Sequence, residues 1–301
     1  MNEVKHHVST LPVKLVRPQN DLRKKHPDRM FGSETSHACD SIASFIGPQA
    51  CIYLSQDDKS SVFIGKTAAK VQSCLLMSMR VRVRSSKHNN SIAYSHQEDL
   101  AKFRELHPEV FEIPESGGTV KPVLFKGVDR GPDENPRFDN NKKMACKTFH
   151  EMNLDCLIEM TQAPGHSAFN RAERMMFHLS KEMAGLVLPA DTFGSHLHNG
   201  ETIDEELDIQ NVEAAGKVLC DIWRNLVVDG YDVDTEYVSH GVQEDTKQFD
   251  VSPLYRSRHL IETQYMTCVL KCDDPECCSP MRTQVDVFFP GRRVPTLIPI
   301  R

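Results

Sequence analysis

Two apolar runs that each stop on an aspartate constrain this chain more than any other feature. In ACIYLSQDDKSSVFIG, Ala50 to Ser55 has strand composition, and Asp57 and Asp58 follow it closely. In VKPVLFKGVD, Val120 to Asp129, a second run ends on Asp129 and opens into the turn-rich RGPDENPR. A further strand is predicted at Leu154 to Met160, and helices at Ser36 to Phe45, Gln97 to His107 and Asn140 to Met152. Strands and helices that interleave in this way predict an α/β fold, a mixed sheet flanked by helices. At 301 residues the chain is long enough to bury a full core.

The segment TQAPGHSAFNRAERMM carries a third acid. A Pro164-Gly165 turn leads into a helix whose apolar stripe is Phe169, Ala172, Met176, Leu179 and Met183, with Glu173 at its edge. Asn170 and Glu173 have the spacing of a helix cap and its reciprocal partner, so one role for Glu173 is local. The other role is remote. Groups just beyond the strand ends of an open sheet converge in one crevice, so Asp57, Asp129 and Glu173 can meet there. Three close carboxylates repel unless cations neutralise them, and hard oxygen ligands suit Mg²⁺ or Mn²⁺. Asp58 and Asp133 are adjacent alternatives, with Asp57 and Asp129 preferred as the first acid after each strand. The two roles of Glu173 are compatible, one oxygen capping while the other faces a metal.

LSQDDKSSVFIG, VDRGPDENPR and APGHSAFNRAERMM together resemble the three acidic motifs of transposon-derived proteins of animal genomes, whose core is the RNase H-like fold of DDE transposases and integrases. Ser167, Asn170 and Glu173 after the Pro turn are similar to the segment carrying the final glutamate of mariner-like transposases. The resemblance runs from about Val16 through GSHLHNGETIDEELD to KCDDPECCSP and the Pro-rich end. It implies an RNase H-like core with Asp57, Asp129 and Glu173 as catalytic metal ligands. The implied activity is metal-dependent cleavage and transfer of DNA strands, with DNA and a second copy of the chain as partners. Arg130 departs from the family pattern, which more often has a small residue there. No zinc-finger pair or helix-turn-helix precedes the core, as in a fragment or a domesticated remnant. The alternative function is accordingly a catalytically silent module that binds DNA or protein.

On this reading, residues 1–44 form a basic arm and short helix, 45–234 the RNase H-like core, and 235–301 a Cys-containing extension. The arm includes Arg23, Lys24 and Lys25, yet the net charge of -6 gives no global attraction to nucleic acid. In LLMSMRVRVRSS, Met79, Val81 and Val83 alternate with Arg80, Arg82 and Arg84, a strand whose basic face is either solvated or in contact with DNA. Cys268, Cys272, Cys277 and Cys278 offer enough thiolates for a structural Zn²⁺. Their spacing is not a pair of CxxC knuckles, and adjacent cysteines rarely share an ion without strain, so reduced structural cysteines are the expectation.

His196 and His198 are assigned to a turn or helix cap, and Lys59 to a solvent-exposed neighbour of the aspartates. No phosphate-binding Gly-rich loop and no Cys/His nucleophile motif stands out. With no apolar run of spanning length and no leader pattern, the expectation is an intracellular protein, nuclear or cytoplasmic, without a membrane partner.

Overall fold

The computed structural model describes residues 27–58, 79–163, 171–183, 185–198, 201–228, 230–239 and 251–292, apart from the side chains of residues 173, 174 and 292. The basic run Arg23 to Lys25, Lys59, and the turn from Pro164 to Asn170 lie outside the described residues.

In chain order, α1 (Arg29–Ile46) precedes β1 (Cys51–Ser55), β2 (Arg80–Arg84), α2 (Ala93–Leu106), the single turn α3 (Pro108–Phe111) and β3 (Val123–Val128). Then come α4 (Asp139–Glu151), β4 (Cys156–Thr161), α5 (Arg171–Glu182), β5 (Leu197–His198), β6 (Glu201–Thr202) and α6 (Glu205–Arg224). The chain continues through β7 (Val227–Val228), β8 (Tyr231–Asp232), β9 (Asp234–Val238), α7 (Pro253–His259), β10 (Leu260–Glu262) and β11 (Met266–Leu270).

The main sheet has five strands in the order β1-β3-β4-β11-β10. β1, β3 and β4 are parallel, whereas β11 and β10 run antiparallel to their neighbours. The expected mixed α/β sheet flanked by helices is therefore present. Strands buried on both faces read as near-continuous apolar runs, and β4 is buried along its whole length, its one charge, Glu159, paired with Lys126 at 3.1 Å. On one face Cys51, Val123, Phe125 and Ile158 pack with Cys39, Ile42 and Ile46 of α1. On the other, Ile52, Leu124 and Leu157 pack with Leu100 of α2 and Ala145 and Phe149 of α4. A third cluster joins Met175 and Leu179 of α5 and Met183 just after it to Leu219 and Trp223 of α6, with Val81 and Val83 against it.

Both expected divisions of the chain cut through this packing. Residues assigned to the N-terminal arm belong to α1, which covers the sheet, and the Cys-containing extension supplies β10 and β11. The reason is long-range pairing, since β11 forms its ladder with β4. Among the described residues no helix is long and apolar enough to cross a membrane.

The basic face of β2 is neither solvated nor open to DNA. β2 pairs in parallel with β9, and Arg80, Arg82 and Arg84 have side chains only 9%, 16% and 13% exposed. Arg80 binds Asp234 at 2.6 Å and Glu236 at 3.0 Å; Arg82 binds Glu236 at 3.0 Å and Asp99 at 2.9 Å; Arg84 also pairs with Asp99. Acids contributed by β9 and α2 thus neutralise the arginine row.

A second buried ion pair fixes the C-terminal segment. The Asp155 side chain is 0% exposed and that of Lys271 2%, with their charged atoms 2.9 Å apart. The other Asp155 oxygen accepts bonds from the backbone N–H groups of Arg282 (2.6 Å) and Thr283 (2.8 Å) and from the Thr283 hydroxyl (3.0 Å). Lys271 donates further to Ser279 Oγ at 3.0 Å.

Two outcomes are expected. Asp155→Ala strands a buried ammonium and should lower unfolding free energy by about 3–5 kcal/mol in urea denaturation. Arg82→Gln should lower it by about 2 kcal/mol through lost charged hydrogen bonds while leaving the affinity for DNA unchanged in a binding titration.

Candidate functional site

The parallel register decides which acids meet. Ser55 lies opposite Gly127, an offset of 127 − 55 = 72 residues. The ladder continues one step further, with the Gln56 N–H donating to the Gly127 carbonyl at 2.7 Å. Asp57 and Asp129 have the same offset, 129 − 57 = 72, and so stand at matching positions beyond neighbouring strands. Because β1 and β3 are parallel neighbours, both aspartates follow strand ends at the same, C-terminal edge of the sheet.

Glu173 is brought to the same edge by its helix. α5 begins at Arg171, which makes Glu173 its third residue, and the Ala172 N–H donates to Ser55 Oγ at 3.1 Å. The first turn of α5 is thereby docked two residues before Asp57. The side chain of Glu173 lies outside the described residues, as does Asn170, its expected capping partner.

Asp58 and Asp133 form a separate group around His96, a buried residue of α2 that the sequence reading did not single out. His96 Nε2 is 3.7 Å from Asp58 and 3.5 Å from Asp133, and Nδ1 is 3.5 Å from Glu134. Burial opposes charge on His96, but the Asp133 hydrogen bond and the charges of Glu134 and Asp58 outweigh it and raise its pKa. The His96 bond holds Asp133 down to about 2 against its own burial, while burial pushes Asp58 up. Gln56 Nε2 lies 2.6 Å from His96 Nδ1 and 2.7 Å from Glu134 Oε1. The other Glu134 oxygen accepts the Asp129 N–H at 3.1 Å. Through Glu134 the His96 cluster therefore supports the backbone that presents Asp129.

A cleft beside this edge is lined by Ser36, Asp40, Tyr53, Ser55, Gly127 and Arg171. The Arg171 guanidinium lies over the Tyr53 ring, 4.7 Å from its centroid, and pairs with Asp40 at 3.0 Å. Arg130, the cation beside the second acid, lies over the Tyr265 ring at 5.4 Å and is thus drawn to the turn between β10 and β11.

Two other assignments change. Cys268 is a fully buried residue of β11 whose Sγ faces Cys156 Sγ at 3.4 Å, so it does not group with Cys272, Cys277 and Cys278. A side chain within β11 points into the core, while the other three follow the strand. His196 is not a turn or cap residue: its Nε2 meets Asp208 at 3.0 Å and its Nδ1 meets Asn211 at 3.0 Å, under the first turns of α6. The N-cap of α6 is Asp204, which accepts the Leu207 N–H at 3.0 Å. His198 is exposed in β5.

The signal for His96 is in the sequence but weak, because a lone histidine near the start of a helix has no spacing that marks its partners. No protein-family model, curated protein or solved structure matches this chain.

Proposed function

We propose that the edge bearing Asp57, Asp129 and Glu173 binds Mg²⁺ or Mn²⁺ and cleaves and transfers DNA strands, on an RNase H-like core. The observation that supports this reading is the common 72-residue offset: Asp57 and Asp129 follow the C-terminal ends of paired parallel strands at the same separation as the ladder. The donor set fits the ions. Carboxylate oxygens are hard ligands, and Asp57, Asp58, Asp129, Asp133 and Glu134 concentrate negative charge that His96 and Lys126 offset in part. Metal ions held there would supply Lewis-acid stabilisation and an activated water or hydroxyl for attack on a phosphodiester.

The roles of the chain's own residues follow from their places. Asp57 and Asp129, which follow adjacent strands, and Glu173, in the first turn of α5, are the residues that would hold the ions. Glu134 fixes the Asp129 backbone through its 3.1 Å bond. Arg171, at the cleft beside β1, presents a planar fork suited to a phosphate oxygen pair once it exchanges its Asp40 partner. Asp58 and Asp133, which with His96 offer ligand atoms within 4.8 Å of one another, are assigned in this reading to the field around the metals.

The test is the melting temperature of the protein as Mg²⁺ or Mn²⁺ is added. Metal at about 100 times its dissociation constant should stabilise the fold by about 2.7 kcal/mol. Asp129→Asn should abolish that response, whereas Asp133→Asn should retain it. The unsubstituted protein should also cleave DNA only with metal. Metal-independent DNA binding with no melting response would instead identify a catalytically silent binding module.

A further inference from the structure

The opposite end of the sheet carries a second group of ligating side chains. His259 closes α7, Cys272 follows β11, and Cys277 and Cys278 lie in the next turn. One ligand atom from each of the four lies within 4.8 Å of all the others, and His259 Nε2 is 3.3 Å from Cys277 Sγ. We propose that His259, Cys272, Cys277 and Cys278 bind one structural Zn²⁺.

Size supports this assignment. Tetrahedral zinc with Zn–S bonds of about 2.3 Å and a Zn–N bond of about 2.0 Å separates its ligand atoms by about 3.5–3.8 Å. The group needs adjustments of about one ångström to reach those values.

The histidine is already oriented as a ligand. His259 is 0% exposed, and its Nδ1 lies 2.8 Å from the Leu270 carbonyl, which can only accept. Nδ1 therefore carries the proton, and the Nε2 lone pair is directed at the thiols. This backbone-held tautomer is the usual outer support of a zinc-bound imidazole. Tyr255 fixes the ring plane, its centroid 4.1 Å from that of His259.

The turn is equally prepared. The Asp274 carbonyl accepts the Cys277 N–H at 3.0 Å and the Cys278 N–H at 2.9 Å, and the Asp274 carboxylate accepts the Glu276 N–H at 3.0 Å. These bonds curl the chain so that adjacent cysteines both face the group, which answers the strain expected from their adjacency. Asp274 also binds Arg258, the neighbour of His259, at 2.9 Å.

Four protein ligands leave no open position, so this ion is structural. It joins α7 to the segment after β11, next to Lys271 and Ser279 of the buried Asp155 network. Soft thiolates at this end and hard carboxylates at the other keep the two metal sites chemically distinct.

The experiment uses the full chain, purified under reducing conditions, with metal content measured after exposure to a weak chelator. About one zinc per chain is expected. Cobalt exchanged into the site should give the visible bands of a tetrahedral, thiolate-bound ion. Cys272→Ser and Cys277→Ser should lose the zinc and the cobalt spectrum, and Cys268→Ser should keep both. His259→Asn should weaken binding and shift the cobalt bands.

The unsubstituted protein decides the question by itself if variants fail to fold. Folded protein that takes up neither zinc nor cobalt, or that holds a disulfide among the three cysteines instead, overturns the proposal. So does zinc lost by Cys268→Ser but kept by His259→Asn. Loss of the magnesium response with zinc retained would count against the carboxylate site alone.

Discussion

The Asp155 carboxylate is the constraint on which the rest of the architecture turns. It sits at the entrance to β4, fully buried, and one ammonium, two backbone N–H groups and a hydroxyl satisfy it. A buried charge is tolerated only with such complete pairing, and these partners come from residues 271–283. The interaction therefore does more than stabilise a contact. It selects the one arrangement in which β11 lies antiparallel to β4, and with it the position of the turn that carries Cys277 and Cys278.

From β4 the order propagates to the crevice. β3 is in parallel register with β4 and β1 with β3, so the strand ends align on one side of the molecule. Parallel strands all release their chains at the same edge, which is why acids distant in sequence can share it. Local chemistry then sorts the acids. The pairs Asp57/Asp58 and Asp129/Asp133 look alike as sequence, but His96 gathers one member of each, while the other two keep the 72-residue offset of the β1–β3 ladder.

Much of this was legible in the amino-acid sequence where short-range patterns decide. The run Ala50 to Ser55 announced β1, and Val120 to Asp129 announced β3. What escaped depended on partners far along the chain. The alternating arginines of β2 gave the strand correctly, but nothing near them showed that Asp99, Asp234 and Glu236 would pair with them. The cysteine group looked contiguous, yet Cys268 lies within a core strand and His259, thirteen residues before Cys272, faces the thiols instead. The acid edge was legible as three motifs, whereas its supporting cluster of Gln56, His96 and Glu134 was not.

The late arrival of β11 bears on how this protein comes off the ribosome. Leu157 pairs with Val269, a separation of 269 − 157 = 112 residues, and Val81 with Thr235, a separation of 235 − 81 = 154. Contacts so distant in sequence form slowly, after the local β3-α4-β4 unit can already have closed. Until residue 270 has emerged, β4 is therefore an uncovered edge, apolar except for Glu159 and Thr161, with unpaired backbone groups open to another chain. A nascent or truncated chain that ends before β11 presents a template for self-association, and its escape from that fate rests on chaperone cover during the interval.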